Sequence, residues 1–113
     1  ATLAPGALRG LCEGRALQWG KVALLRALLR RALNGSDGAE PWAPRTWRPA
    51  DVQWLVWVDA DAIIVDHERP LEDFVAMAGE GCDLIIGEDM SCASSMNTGV
   101  MMVRVSRWSL DLL

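Results

Sequence analysis

The feature that most restricts this chain is a nearly continuous apolar run, Val52-Gln53-Trp54-Leu55-Val56-Trp57-Val58, which stops abruptly at Asp59-Ala60-Asp61. The run is too short for a buried helix and is rich in β-branched and aromatic residues, so it predicts a strand buried on both faces. Strands of that kind belong to parallel or mixed sheets covered by helices. The two acids then mark the C-terminal edge of the strand, where open α/β sheets leave a crevice for ligands.

The rest of the chain fits the same architecture. From about Glu13 to Leu33, Leu17, Leu24, Leu25, Leu28 and Ala32 recur on one side at the helical period, with Arg26 and Arg30 opposite. Asn34-Gly35 supplies a stop, because glycine reaches positive φ without steric cost. Residues 34–51, rich in Gly, Ser and Pro and containing Trp42 and Trp47, read as a surface loop. Pro70–Ala78 predicts a short helix, with proline in the first turn and the acids Glu72 and Asp73 at its positive end. Leu84-Ile85-Ile86 predicts a second buried strand and Val100–Val103 a third, and Ser106 is placed to cap a last helix. Helix, strand, helix, strand, strand, helix is an α/β layer order. The chain begins just before one helix and stops inside another, which reads as one incomplete domain spanning 1–113.

Composition removes several classes. With 51% hydrophobic and 23% charged residues the chain is too apolar and too balanced in sign for a disordered tail. Its net charge of −4 argues against nucleic acid as a partner, since phosphate recognition needs a basic footprint. No apolar run approaches the roughly 18–20 residues of a membrane span, and residues 1–10 do not read as a signal peptide. Cys12, Cys82 and Cys92 lack the paired spacing of a structural zinc site, and His67 is the only histidine. A disulfide between two of the three cysteines stays open.

The chemistry centres on Asp59 and Asp61. Side chains at i and i+2 of an extended segment point the same way, so both carboxylates can address one site. Two neighbouring anions repel unless a cation joins them. A hard divalent ion such as Mn²⁺ or Mg²⁺ suits one or two carboxylates with phosphate and water completing its shell. The plainer alternative makes Asp59 and Asp61 turn residues leaving a strand. Against it stands Ala62-Ile63-Ile64-Val65, since a turn seldom resumes as an apolar run. A calcium loop of EF-hand type is excluded by Ile63 and Ile64 at ligand and glycine positions. Met96-Asn97-Thr98-Gly99, leading into Val100, offers an amide, a hydroxyl and bare backbone before a strand, which suits a polyhydroxylated ligand or simply a turn. Lys21 falls on the apolar side of the first helix, where it either snorkels to water or meets an anion. Trp54 and Trp57 read as core. His67, flanked by Asp66, Glu68 and Arg69, reads as a surface loop residue, and Glu88 and Asp89 as surface acids.

Three stretches in this order resemble glycosyltransferase family 34, the galactosyl, xylosyl and mannosyl transferases. They are Lys21–Leu28, Trp54-Leu55-Val56-Trp57-Val58-Asp59-Ala60-Asp61-Ala62, and Asp83–Ile86 continuing through Met96-Asn97-Thr98-Gly99 to Val103–Leu113. The resemblance implies a GT-A fold, a Rossmann-like α/β domain with a mixed sheet flanked by helices, binding a nucleotide-sugar. It implies that Asp59, Ala60 and Asp61 hold Mn²⁺ (or Mg²⁺) and the donor diphosphate, and that Asn97, Thr98 and Gly99 line the sugar pocket. It further implies a hexosyl- or pentosyltransferase acting with retention on a glycan acceptor. Such enzymes are Golgi proteins of type II topology, so membrane contact is expected only through an N-terminal anchor outside this chain. The family's opening nucleotide-binding strand and its later metal-binding histidine are expected before Ala1 and after Leu113, and an isolated 113-residue piece is expected to be inactive.

Two other readings stay open. Two aspartates after a buried strand also resemble a haloacid-dehalogenase phosphatase with Asp59 as nucleophile, although Ile63 departs from that pattern and the single lysine, Lys21, lies upstream. The third is an inactive truncated product serving only as an interaction module.

Overall fold

The computed structural model describes residues 16, 19–35, 48–90 and 95–113. They fall into two compact units: the described residues up to Gln53 together with Val105–Leu113, and Trp54–Arg104. Leu17, Trp42, Trp47, Cys12 and Cys92 lie outside the described residues.

In the first unit, helix α1 spans Gly20–Asn34 and ends on Gly35 at φ 60°, the left-handed stop that Asn34-Gly35 predicted. Its buried line is Leu25, Leu29 and Ala32, at i, i+4 and i+7, while Arg26 and Arg30 are exposed. Leu24 and Leu28, expected at the centre of the apolar face, are half-buried at its margin, and Leu29 takes the centre instead. Lys21 is also half-buried. Part of the expected loop closes as a single 3₁₀ turn, Pro49–Asp51, against α1. In this unit the last helix, Arg107–Leu112, also meets α1. Ser106 caps that helix as predicted, its hydroxyl accepting the Ser109 backbone N–H at 3.2 Å and satisfying a donor that the first turn would otherwise orphan. Ser109 is fully buried, its hydroxyl 3.1 Å from that of Ser106.

The second unit holds β1 (Trp54–Val58), helix α2 (Glu72–Ala78), β2 (Leu84–Glu88) and β3 (Met96–Arg104). The strand order is β1-β3-β2, and both pairings are antiparallel. This corrects the expectation of a parallel or mixed sheet, for the described strands. It also corrects the reading of Val52–Val58 as buried on both faces. The strand starts at Trp54, and Val56 and Val58, two residues apart on one face, are 38% and 44% exposed. β1 has one neighbour in the described sheet, whereas β3 has two, and the burial follows that difference. Met101, Met102 and Val103 at the centre of the sheet are at most 6% exposed.

β3 is longer than predicted. It begins at Met96, so Asn97-Thr98-Gly99 lies within the strand rather than in a turn before it. The β2 register then breaks. Ile86 faces Met101 but Gly87 faces Asn97, leaving Thr98, Gly99 and Val100 without partners on β2. Such a bulge bends a strand and re-aims its side chains, commonly beside a site. The opposite end of β3 is tied down by Arg104, which donates its backbone N–H to the Asp83 carbonyl (2.9 Å) and its Nε–H to the Cys82 carbonyl (2.8 Å), with its guanidinium 4.9 Å from the centre of the Trp54 ring. Cys82 is a free, half-buried thiol 3.3 Å from the Leu84 carbonyl.

Candidate functional site

β1 and β2 both run opposite to β3, so their C-terminal ends flank the N-terminal half of β3. Where they end, the chain turns acidic. A cleft of about 670 Å³ opens there, lined by Asp59, Asp61, Ala62, Gly87, Glu88, Asp89, Met96, Asn97, Thr98, Gly99 and Val100. The structure thus brings together Asp59 and Asp61 with Asn97, Thr98 and Gly99, although Asp61 and Asn97 are 36 positions apart in sequence. Ala60 is exposed and is not among the lining residues.

The two aspartates reach the cleft by a different route from the extended spacing read in the sequence. Asp59 sits at the end of β1, and the Ala62 N–H donates to the Asp59 carbonyl at 3.0 Å, closing a turn over 59–62. They are turn residues and cleft residues at once. The apolar stretch after the turn carries no weight against that description, because Ile63, Ile64 and Val65 are strongly exposed and outside any strand.

Asp59 is fixed from two sides. Its backbone N–H donates to the Gly99 carbonyl at 2.7 Å, extending the β1–β3 pairing by one step. Its Oδ1 accepts the indole N–H of Trp57 at 2.5 Å. Across from it the Gly99 N–H donates to Asn97 Oδ1 at 2.8 Å. A side chain at Gly99 would crowd Asn97: a Cβ there would stand 2.9 Å from Asn97 Oδ1, and at an ordinary contact distance of 3.5 Å from Asp59 Oδ2. At Gly87, which pairs with Asn97 from β2, a Cβ would meet nothing closer than 3.8 Å.

The described lining carries four carboxylates and no Lys, Arg or His. A bare diphosphate is repelled by such a surface, whereas a divalent cation is attracted. No three His, Cys, Asp or Glu side chains among the described residues converge closely enough to cage a metal. Asp59 and Asp61 supply two hard oxygen donors, which suits an ion that takes one or two carboxylates and completes its shell with phosphate and water. Glu88 and Asp89, expected as surface acids, line the same cleft, Glu88 exposed and Asp89 half-buried. His67 is exposed in the bend beyond the turn and does not line the cleft. Lys21 belongs to the first unit.

Part of the chain is similar to plant glycosyltransferases. It is 36% identical over 67 residues to "Glycosyltransferase 6" of Arabidopsis thaliana, covering 56% of this chain and 15% of that protein. It is 33% identical over 70 residues to "Probable glycosyltransferase 7" of Oryza sativa subsp. indica, and 35% identical over 68 residues to "Xyloglucan 6-xylosyltransferase 4" of Arabidopsis thaliana, again covering 56% of this chain. The chain spans 13–15% of the length of these relatives. No protein-family model matches it. No solved structure matches it. No described helix is long and apolar enough to cross a membrane.

Proposed function

We propose that this chain is the central part of a GT-A glycosyltransferase domain of family 34 type, and that the cleft is its donor site. The observation that carries the reading is the meeting of Asp59 and Asp61 with Asn97–Gly99 around one acidic cleft that contains no described basic group. The partial likeness to plant glycosyltransferases supports the same class. The substrates are then a nucleotide-sugar donor and a glycan hydroxyl acceptor, and the cellular site is the Golgi lumen.

Asp59 and Asp61 would hold Mn²⁺ or Mg²⁺ together with the donor diphosphate. Bound there, the ion supplies Lewis-acid stabilisation of the departing diphosphate. The chain's own residues do the positioning. Gly99 keeps the floor of the cleft free of a side chain, so a sugar can approach the backbone closely. The Asn97 carbonyl oxygen is engaged by the Gly99 N–H, which leaves its amide group as the donor it offers to a hydroxyl. Thr98 adds a hydroxyl of its own to the lining. Transfer with retention is the stereochemistry this family reading carries.

The test is a calorimetric titration of the full-length protein with Mn²⁺ and a panel of nucleoside diphosphates, beside an Asp61→Ala variant. Asp61 is exposed, so its loss should leave thermal stability nearly unchanged. Metal-linked nucleotide binding should disappear. Equal, metal-dependent binding by the variant would remove the reading.

A further inference from the structure

Trp57, expected in the core, turns its indole N–H to Asp59 of the cleft. Trp57 and Asp59 are two positions apart at the end of β1, so their side chains leave the strand on the same side. The indole N–H donates to Asp59 Oδ1 at 2.5 Å. Trp57 is half-buried and pairs in register with Met101, a buried residue of the central strand. Its ring therefore has a seat in the sheet while its N–H reaches the lip of the cleft. Asp59 Oδ2 lies near Gly99, where a Cβ at that position would stand 3.5 Å away. One carboxylate oxygen is tethered to the sheet, and the other is turned toward the Asn97–Gly99 floor.

We infer that Trp57 is a positioning residue for the cation site: its N–H fixes the rotation of the Asp59 carboxylate and so sets which oxygen is presented to the ion. This rests on the donor-site reading above. A carboxylate free to rotate must be ordered when the ion arrives, at an entropic cost that a tethered one has already met. Hydrogen-bonding partners of metal ligands act in this way, and removing one weakens metal affinity by about 10- to 100-fold. An indole suits the task, since it is a single-donor group on a rigid ring with only two side-chain torsions.

The experiment replaces Trp57 in the full-length protein by β-(3-benzothienyl)alanine, which keeps the bicyclic ring and substitutes sulfur for N–H. Trp57→Phe is the second variant. Trp54, on the same strand with its ring under Arg104, receives the benzothienyl replacement as a control. Binding of Mn²⁺ alone is followed by the loss of the free-ion electron paramagnetic resonance signal, with melting temperature recorded in parallel. The expected result is an Mn²⁺ Kd raised about 10- to 100-fold by both Trp57 replacements, an unchanged melting temperature for the benzothienyl protein, and parent affinity in the Trp54 control. Parent affinity in the benzothienyl-57 protein overturns the inference, as does an equal loss in the Trp54 control. If the parent binds Mn²⁺ through Asp61 while the benzothienyl-57 protein binds it equally well, the donor-site reading survives and only the role of Trp57 falls. A parent protein that binds no Mn²⁺ overturns both.

Discussion

The two halves of β3 belong to one strand and do opposite work. Met101, Met102 and Val103 are buried in the centre of the sheet with partners on both β1 and β2. Met96, Asn97 and Thr98 are exposed, and Thr98–Val100 has lost its β2 partners at the bulge. The first half exposes polar side chains and bare backbone to the cleft, and the second half anchors the strand. The difference teaches that the site owes its position to a break in pairing: a regular ladder through Thr98–Val100 would bring β2 against the strand there.

The comparison gives an ordered set of effects. Met102→Ala removes a side chain from the anchored half and should destabilise the protein by about 2–5 kcal/mol, read by chemical denaturation of the full-length protein. A destabilisation under about 1 kcal/mol would mean that this half is not the core it is taken to be. Smaller effects come from the two glycines that line the cleft, Gly99 and Gly87. Gly99→Ala must shift the Asn97 side chain, because the new methyl would stand 2.9 Å from its Oδ1, whereas 3.5 Å to Asp59 Oδ2 is ordinary contact. Misplacement on that scale should weaken nucleoside-diphosphate binding with Mn²⁺ by about 10- to 100-fold. Gly87→Ala meets only ordinary van der Waals distances, the nearest being 3.8 Å, and should change affinity by less than about twofold. Equal affinities for the two variants would erase the distinction between the crowded and the roomy glycine.

Much of this was legible in the sequence, for identifiable reasons. Element type and order came through because each element carries a local signal: the 3.6-residue period of α1, the Asn34-Gly35 stop, the Ser106 cap, the apolar runs of β1 and β2. Sheet direction did not, since pairing is a property of two segments and neither run records its partner. The exposure of Val56 and Val58 was hidden because apolar residues at an open face read like buried ones. The start of β3 was misplaced for a related reason. Asn and Gly are poor strand formers, and the pairing of β1 with Val100 and of β2 with Met96 and Asn97 overrides that preference. Asp59 and Asp61 were singled out by chemistry, but the geometry that unites them is a turn rather than an extended strand. That the surface acids Glu88 and Asp89 share the cleft with Asp59 and Asp61 is not legible, because nothing local to them records that β1 and β2 end on either side of the same stretch of β3.

The central claim is that Asp59 and Asp61 jointly hold a divalent ion over the opened half of β3. Its most direct test is an anomalous-difference map from crystals of the full-length protein grown with Mn²⁺ and a nucleoside diphosphate. The expected result is a peak at about 2.0–2.6 Å from a carboxylate oxygen of each aspartate, with the diphosphate in the same cleft. A manganese peak held by other side chains, with the diphosphate bound away from β3, would contradict it.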